Sequence, residues 1–135
     1  MTVELSDKEF RRLLDMVYIG NWILNSTRSD DRFEDYDIVE SKLFSLCPKH
    51  GMRSLTECWG GRYYPSRAFE EGGIHEAIAD YEDAVFFDIL AEELARRDLG
   101  LTDSDPEDAS ELVARTDEYL AEFEKNGLNT INIDL

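Results

Sequence analysis

The sequence is short of the features that mark membrane, secreted and disulfide-linked proteins. It has only two cysteines in 135 residues. No run approaches the roughly 18 consecutive apolar residues that a membrane-spanning helix needs. The opening residues, MTVELSDKEF, lack the basic and then apolar pattern of a secretory signal. We therefore expect a cytoplasmic protein with free thiols and no membrane association.

Basic residues are also scarce, and the scarcity is uneven along the chain. The sequence has 14 lysines and arginines against 31 acidic residues, which gives a net charge of -17. Residues 1–67 carry 11 acidic and 10 basic side chains, whereas residues 68–135 carry 20 and 4. Because so acidic a half repels phosphate backbones, we do not expect it to bind nucleic acid directly. Residues 42–67 form the one locally cationic segment.

Common catalytic signatures are absent from the sequence. It has no Walker loop, no Gly-x-Ser-x-Gly, no His-Glu-x-x-His and no EF-hand pattern. A di-iron bundle would need Glu-x-x-His pairs, but Cys47 and Gly72 stand three residues before His50 and His75. We therefore predict no catalytic residues and no cofactor, and favour a non-enzymatic function.

Apolar periodicity predicts four helices, at residues 7–25, 31–46, 74–98 and 106–126. Ser6 and Glu9 have the spacing of a capping box at the first helix start, and Asp105 with Pro106 resembles the start of the fourth. The apolar stripe of the second helix predicts that its buried face consists of Phe33, Tyr36, Val39, Leu43 and Leu46. The middle of the third, AVFFDIL, is apolar on nearly all sides, so we expect it to be the most buried element.

The second and third helices are joined by residues 51–73, which hold five of the eight glycines and show no sustained period. Connections of this length are often functional. At the two ends of the chain, TVEL and TINIDL alternate apolar and polar residues as strands do. The sequence thus predicts a mainly α, single-domain helical bundle of about four helices over residues 1–135. It has a long irregular insert between helices 2 and 3, and a short terminal β-ribbon is a further expectation.

Three strings resemble a family of short, acidic, uncharacterised bacterial proteins: VYIGNWILNSTR, DRFEDYDIVESKLFSL and IHEAIADYEDAVFFDILAEELARRDL. The resemblance covers most of the chain and lies in its aromatic and apolar pattern. It implies a helical single domain and, because the family has no assigned activity, no functional residues.

Cysteine and histidine side chains raise two alternatives. Cys47, His50, Cys58 and His75 have the ligand types of a zinc site, and Cys47 and His50 have knuckle-like spacing. Cys58 and His75, however, are seventeen residues apart, whereas structural zinc uses two close pairs. The favoured interpretation is that Cys47 packs at a helix end as an inert thiol and His50 is solvated.

Aromatic and arginine side chains in the insert are of the types that anchor interfaces and stack on flat or anionic ligands. The candidate binding residues there are Arg53, Trp59, Arg62, Tyr63, Tyr64 and Arg67. The alternative is that the aromatics fold onto the bundle while the arginines pair with the acidic half. Asp88, within an apolar turn, is expected to be paired or functional, and Asn21, on the first apolar stripe, to be a buried amide.

Two classes of function remain. The first is a non-enzymatic interaction or regulatory module whose acidic half meets a basic protein, with a mimic of DNA charge as its extreme form. The second is small-molecule or metal binding at residues 47–67. A solvated, solubilising surface is the simplest explanation of the charge.

Overall fold

The computed structural model describes residues 1–102 and 109–135 and confirms a mainly α fold. The four longer helices are α1 (Asp7–Asn25), α2 (Glu34–Phe44), α4 (His75–Asp98) and α5 (Ala109–Asn126). A short helical segment α3 (Arg67–Phe69) and strands β1 (Thr56–Trp59) and β2 (Arg62–Pro65) lie between α2 and α4. The predicted cap at Asp105 and Pro106 lies outside the described residues. Within the described ranges, no helix combines the length and apolar character needed to cross a membrane.

The chain divides into two compact units, whose boundary falls within α4. Unit 1 is Met1–Ile78 and unit 2 is Ala79–Leu135. The single-domain organisation expected from the sequence stays a prediction.

The start of α1 has the predicted capping box. The backbone amide of Glu9 donates to the Ser6 hydroxyl at 3.3 Å, and the Glu9 carboxylate accepts from the Ser6 amide at 2.8 Å. Two of the amides that a helix start leaves unpaired are thereby satisfied. The buried residues of α1 recur every three or four positions on one face: Phe10, Leu14, Tyr18, Asn21 and Asn25. Asn21 is a buried amide, as predicted.

The core of unit 1 is aromatic. Phe44 and Phe69 are fully buried, and their rings meet edge to face with centroids 5.0 Å apart. Leu14 and Cys47 are fully buried beside them. Each large apolar side chain buried in this way stabilises the fold by about 1.5–3 kcal/mol. This core fixes the elements that form the site described below.

The buried face predicted for α2 is wrong at three of its five residues, whereas Leu43 and Leu46 are partly buried and pack against the core. Phe33, Tyr36 and Val39 are exposed, and the buried residues of the helix are Glu40 and Phe44. The helix is turned in this way because Glu40 reaches a polar partner on α1, which an apolar pattern does not reveal.

The short ribbon predicted for the two termini is wrong, and the insert contains a different, unpredicted ribbon. The residues before α1 and after α5 form no strand in the described chain, and Ile133 is 77% exposed. Instead β1 and β2 pair antiparallel, with Trp59 opposite Arg62. The two loop residues Gly60 and Gly61 both have positive φ, of 59° and 76°. This is the backbone of a type I′ turn, whose twist suits a two-residue hairpin.

Unit 2 has few large buried side chains. Among its described residues, Ala91 and Ala95 are fully buried, and Leu112 and Phe123 are nearly so. The prediction that AVFFDIL is the most buried element is wrong, since Phe86 and Ile89 are 47% and 59% exposed. The buried residues of α4 are Ile78, Ala91 and Ala95, which lie outside this apolar run.

Candidate functional site

Unit 1 has a cleft of about 480 Å³ that is formed by α2, the segment before α2, and strand β2. Its charged and aromatic lining consists of four carboxylates (Asp30, Glu34, Asp37, Glu40), two guanidinium groups (Arg32, Arg62) and two tyrosines (Tyr63, Tyr64). Glu34, Asp37 and Glu40 recur every three residues and therefore share one side of α2. The Tyr63 backbone amide donates to the Ser41 hydroxyl at 3.0 Å, which fixes β2 against α2.

Glu40 lies at the base of the cleft and is only 8% exposed. Its Oε2 accepts a short hydrogen bond from the side-chain amide of Asn21. Burial raises the pKa of the Glu40 carboxyl, and the nearby charge of Asp37 acts in the same direction, whereas the Asn21 bond opposes them. The site therefore contains a carboxylate that has been taken out of water without an arginine bonded to it.

Asn25 and Asn21 hold the base of the cleft in place. The Asn25 side-chain amide donates to Asn21 Oδ1 at 2.7 Å and to the Phe33 carbonyl at 3.1 Å. In return the Phe33 backbone amide donates to Asn25 Oδ1 at 2.8 Å. These bonds attach Phe33, the residue before α2, to α1. They therefore fix the position of α2, and with it Glu40, relative to α1.

Arg32 is committed to structural bonds. Its Nε and Nη2 donate to the two oxygens of Asp37 at 3.0 and 2.8 Å, and its Nη1 donates to the Asn25 carbonyl at 3.3 Å. The bonds from Arg32 lower the pKa of Asp37. Arg62 is held more loosely, through one 3.4 Å contact with Glu34.

A second hollow of about 260 Å³ shares Arg32, Glu40 and Pro65 with the cleft. Tyr18 lines it, and its hydroxyl lies 2.7 Å from His75 Nε2. Burial raises the pKa of Tyr18 to about 12, with a contribution from the charges of Glu70 and Glu40. Tyr18 is therefore a neutral hydroxyl at ordinary pH.

Three of the predicted binding residues, Arg62, Tyr63 and Tyr64, line the cleft, and the other four do not. Trp59 is 78% exposed on β1, Arg53 is exposed, and the Arg67 guanidinium pairs with Glu71 at 2.6 Å. Asp88 is exposed on α4, in unit 2. Because water solvates its exposed carboxylate, Asp88 does not need a partner within the protein.

The four predicted metal ligands have separate surroundings. Cys47 is buried in the core, where burial raises the pKa of its thiol, whereas Cys58 is exposed. His50 Nδ1 lies 2.8 Å from Asp7, and His75 meets Tyr18. Within residues 1–102 and 109–135, no three His, Cys, Asp or Glu side chains form a group that could hold a metal ion.

The sequence pattern did not identify Asn25, Arg32, Asp37 or Glu40 as site residues. Two signals were available: the i,i+4 pair Asn21 and Asn25 on a buried stripe, and the three-residue spacing of acids along α2. Neither is distinctive in a chain with 31 acidic residues.

Unit 2 presents a different surface, on which the arginines are already bonded within the unit. Arg115 donates to Asp98 at 2.7 Å and to Glu118 at 2.5 Å, and Arg97 donates to Asp98 at 2.9 Å. Tyr119 also donates a short hydrogen bond to Asp98. Together the bonds from Tyr119, Arg115 and Arg97 hold the pKa of Asp98 far below its usual value.

The third arginine, Arg96, pairs with Glu92 at 2.9 Å. In contrast, several exposed carboxylates of unit 2 have no hydrogen bond or ion pair to any described residue: Asp80, Glu82, Asp83, Asp88, Glu93, Glu111, Asp117, Glu124 and Asp134. Residues 79–135 carry 17 acidic and 4 basic side chains. The outward charge of unit 2 is therefore strongly negative.

Comparisons with protein-family models, with curated proteins and with solved structures found no match to this chain. The resemblance to a bacterial family accordingly stays a prediction.

Proposed function

We propose that this protein is a non-enzymatic interaction module that binds a basic protein segment through unit 2. One observation carries the proposal: the arginines of unit 2 are bonded to acids of the same unit, while nine exposed carboxylates, Asp134 among them, have no described partner. Carboxylates left in this state keep their full charge and attract a cationic partner over a distance of about 10 Å.

A stripe on α4 gives the proposed contact a shape. Glu82, Phe86, Ile89 and Glu93 follow one another at spacings of four, three and four residues, so they share one face of the helix. All four are exposed. This α4 stripe has two apolar side chains flanked by a carboxylate at each end. Its complement is an amphipathic segment with two apolar side chains between two cations.

Charge alone also serves solubility, so the test must separate the α4 stripe from diffuse attraction. The probe is a fluorescent helical peptide that carries Lys, Leu, Leu and Lys at spacings of four, three and four residues. A scrambled peptide of the same composition is its control. Fluorescence anisotropy during titration with the full chain gives both dissociation constants.

We expect the patterned peptide to bind at least tenfold more tightly than the scrambled one, a difference of about 1.4 kcal/mol. The double substitution Glu82→Gln and Glu93→Gln should weaken binding about tenfold. The matched control, Glu111→Gln with Glu124→Gln, removes the same charge from α5 and should change binding less than twofold. If the two double substitutions had equal effects, or if the two peptides bound equally, the α4 stripe would not be a specific binding surface and its charge would serve only solubility.

A further inference from the structure

The cleft of unit 1 has a role that the interaction surface of unit 2 does not explain. We infer that it binds a small organic cation, an amine or a guanidinium, through the free carboxylate oxygen of Glu40 and the neighbouring carboxylates of the cleft.

The first ground is the unsatisfied oxygen of Glu40. Its Oε2 is occupied by Asn21, and its Oε1 accepts no hydrogen bond from the described residues. No buried side-chain nitrogen or oxygen in the described ranges lacks a partner, so Oε1 is open to solvent. Since Glu40 is more than nine-tenths buried and lines the cleft and the second hollow, these are the spaces into which Oε1 opens. Burial raises the pKa of Glu40 and the charge of Arg32 lowers it, but no described arginine is bonded to it, so a cationic donor at Oε1 would offset more of the cost of burying this carboxylate.

The second ground is the sign of the remaining charge. Arg32 is bonded through two of its nitrogens to Asp37 and through the third to the Asn25 carbonyl, so its charge is set mainly against that of Asp37. This leaves Asp30, Glu34 and Glu40 against Arg62 alone, so the cleft attracts cations and repels anions.

The third ground is size and lining. A volume of about 480 Å³ lies within the range of roughly 300–1,000 Å³ that is typical of small-molecule sites. Tyr63 packs against the core of unit 1 and the next residue of a strand projects to the opposite side, so the two tyrosines border the cleft without enclosing it between their rings. A bare metal ion needs several converging ligands, and no group of three His, Cys, Asp or Glu side chains in the described part of the chain supplies them.

The alternative is that Glu40 serves only to join α2 to α1 through Asn21. Both roles use the same side chain, but they predict different behaviour toward added ligands. The joining role needs only an acceptor for Asn21, which a glutamine oxygen also provides. The binding role needs the negative charge.

The test titrates the ¹⁵N-labelled full chain with butylammonium and butylguanidinium, and with butyrate as a probe of equal length and opposite charge. We expect saturable shifts of the Ser41 and Tyr63 amide resonances with at least one cation and no saturable shift with butyrate. Absence of saturation with both cations, or equal response to butyrate, would overturn the inference.

Two variants assign the effect to the cleft. Glu40→Gln keeps the side-chain volume and the acceptor for Asn21, and it should weaken cation binding at least tenfold. Glu57→Gln removes one charge from an exposed position on β1 outside the cleft lining, and it should change binding less than twofold. If these two variants bind alike, Glu40 has only the joining role.

A third variant keeps the test decisive if Glu40→Gln does not fold. Asp30 lines the cleft, and the one side-chain bond that its carboxylate makes in the described chain is from the neighbouring Ser29 hydroxyl, at 3.2 Å. Asp30→Asn should therefore fold normally and weaken cation binding about threefold. Unchanged binding in Asp30→Asn would then contradict the inference.

Discussion

Units 1 and 2 are both largely helical, but different interactions hold them together. In unit 1 the fully buried side chains include Phe44 and Phe69, together with the amide of Asn25. In unit 2 the fully buried side chains are Ala91 and Ala95, and the polar bonds gather around exposed groups at Asp98. Since burial contributes far more than exposed ion pairs, unit 1 has the larger reserve of stability. The buried core that supports the cleft thus lies in unit 1, whereas most of the exposed carboxylates without a described partner lie in unit 2.

The largest expected effect comes from truncating a core ring in each unit. Phe44→Ala should destabilise unit 1 by about 3–5 kcal/mol, because a fully enclosed cavity cannot collapse. Phe123→Ala in unit 2 should cost less, about 2 kcal/mol, because fewer large buried neighbours surround it. Urea unfolding followed by far-UV circular dichroism measures both. Equal losses would show that the two units are packed alike.

A second comparison uses one asparagine from each unit. Asn25→Ala removes three hydrogen bonds and leaves the Phe33 amide and the Asn21 oxygen without partners, so we expect a loss of about 2–3 kcal/mol. Asn126→Ala removes one bond to Glu122 at the end of α5 and should cost less than about 1 kcal/mol. The same unfolding measurement applies. A loss for Asn126→Ala as large as that for Asn25→Ala would contradict the comparison.

The two units should also respond to acid with opposite signs. Burial raises the pKa of Glu40 above 4.5, so its folded form holds the proton more tightly than its unfolded form. The wild type should therefore gain stability relative to Glu40→Gln as the pH falls from neutral toward 4.5.

Asp98 behaves in the reverse way. Its pKa is lowered from 3.8, so its contribution is present above that pH and is lost as the pH falls further. The wild type should lose its advantage over Asp98→Asn only in strongly acidic solution. Free energies of unfolding for the three proteins, measured between about pH 2 and about pH 7, test both signs. If the stability of the wild type relative to Glu40→Gln and relative to Asp98→Asn changed in the same direction as the pH fell, the raised pKa of Glu40 or the lowered pKa of Asp98 would be refuted.

The smallest effect concerns thiol reactivity and leaves stability unchanged. Cys58 is exposed and Cys47 is fully buried with a raised pKa, so a thiol reagent should modify one cysteine per native chain. Cys47 should react only when unit 1 opens, so its rate in urea follows the unfolding of that unit. Cys58→Ser should remove the fast reaction. Rapid modification of Cys47 in the native protein would show that the core of unit 1 is loose.

Much of the helical organisation was predictable because its causes are local. The Ser6 and Glu9 cap and the spacing of Phe10, Leu14 and Tyr18 are visible within one helix. The ribbon also has a local signal, since Gly60-Gly61 between aromatic residues is typical of a hairpin, although the alternating termini have the same strand-like pattern and form no strand in the described chain.

The orientation of α2 and the exposure of α4 depend on contacts that no local pattern contains. Glu40 is buried where it accepts from Asn21 on α1, and Phe86 is exposed although it lies within an apolar run. Arg62, Tyr63 and Tyr64 could be named as candidates because their residue types are those that anchor interfaces. Glu40 could not be distinguished from the other acidic residues, because only its contact with α1 sets it apart.

The hairpin turn has a consequence for the wall of the cleft. Gly60 and Gly61 have backbone angles that glycine adopts freely and that asparagine and aspartate tolerate better than other residues. The register that puts Arg62, Tyr63 and Tyr64 on the wall of the cleft follows from that reversal. Substitution of either glycine by a β-branched side chain should therefore displace this wall of the cleft even when the residues of α2 are unchanged.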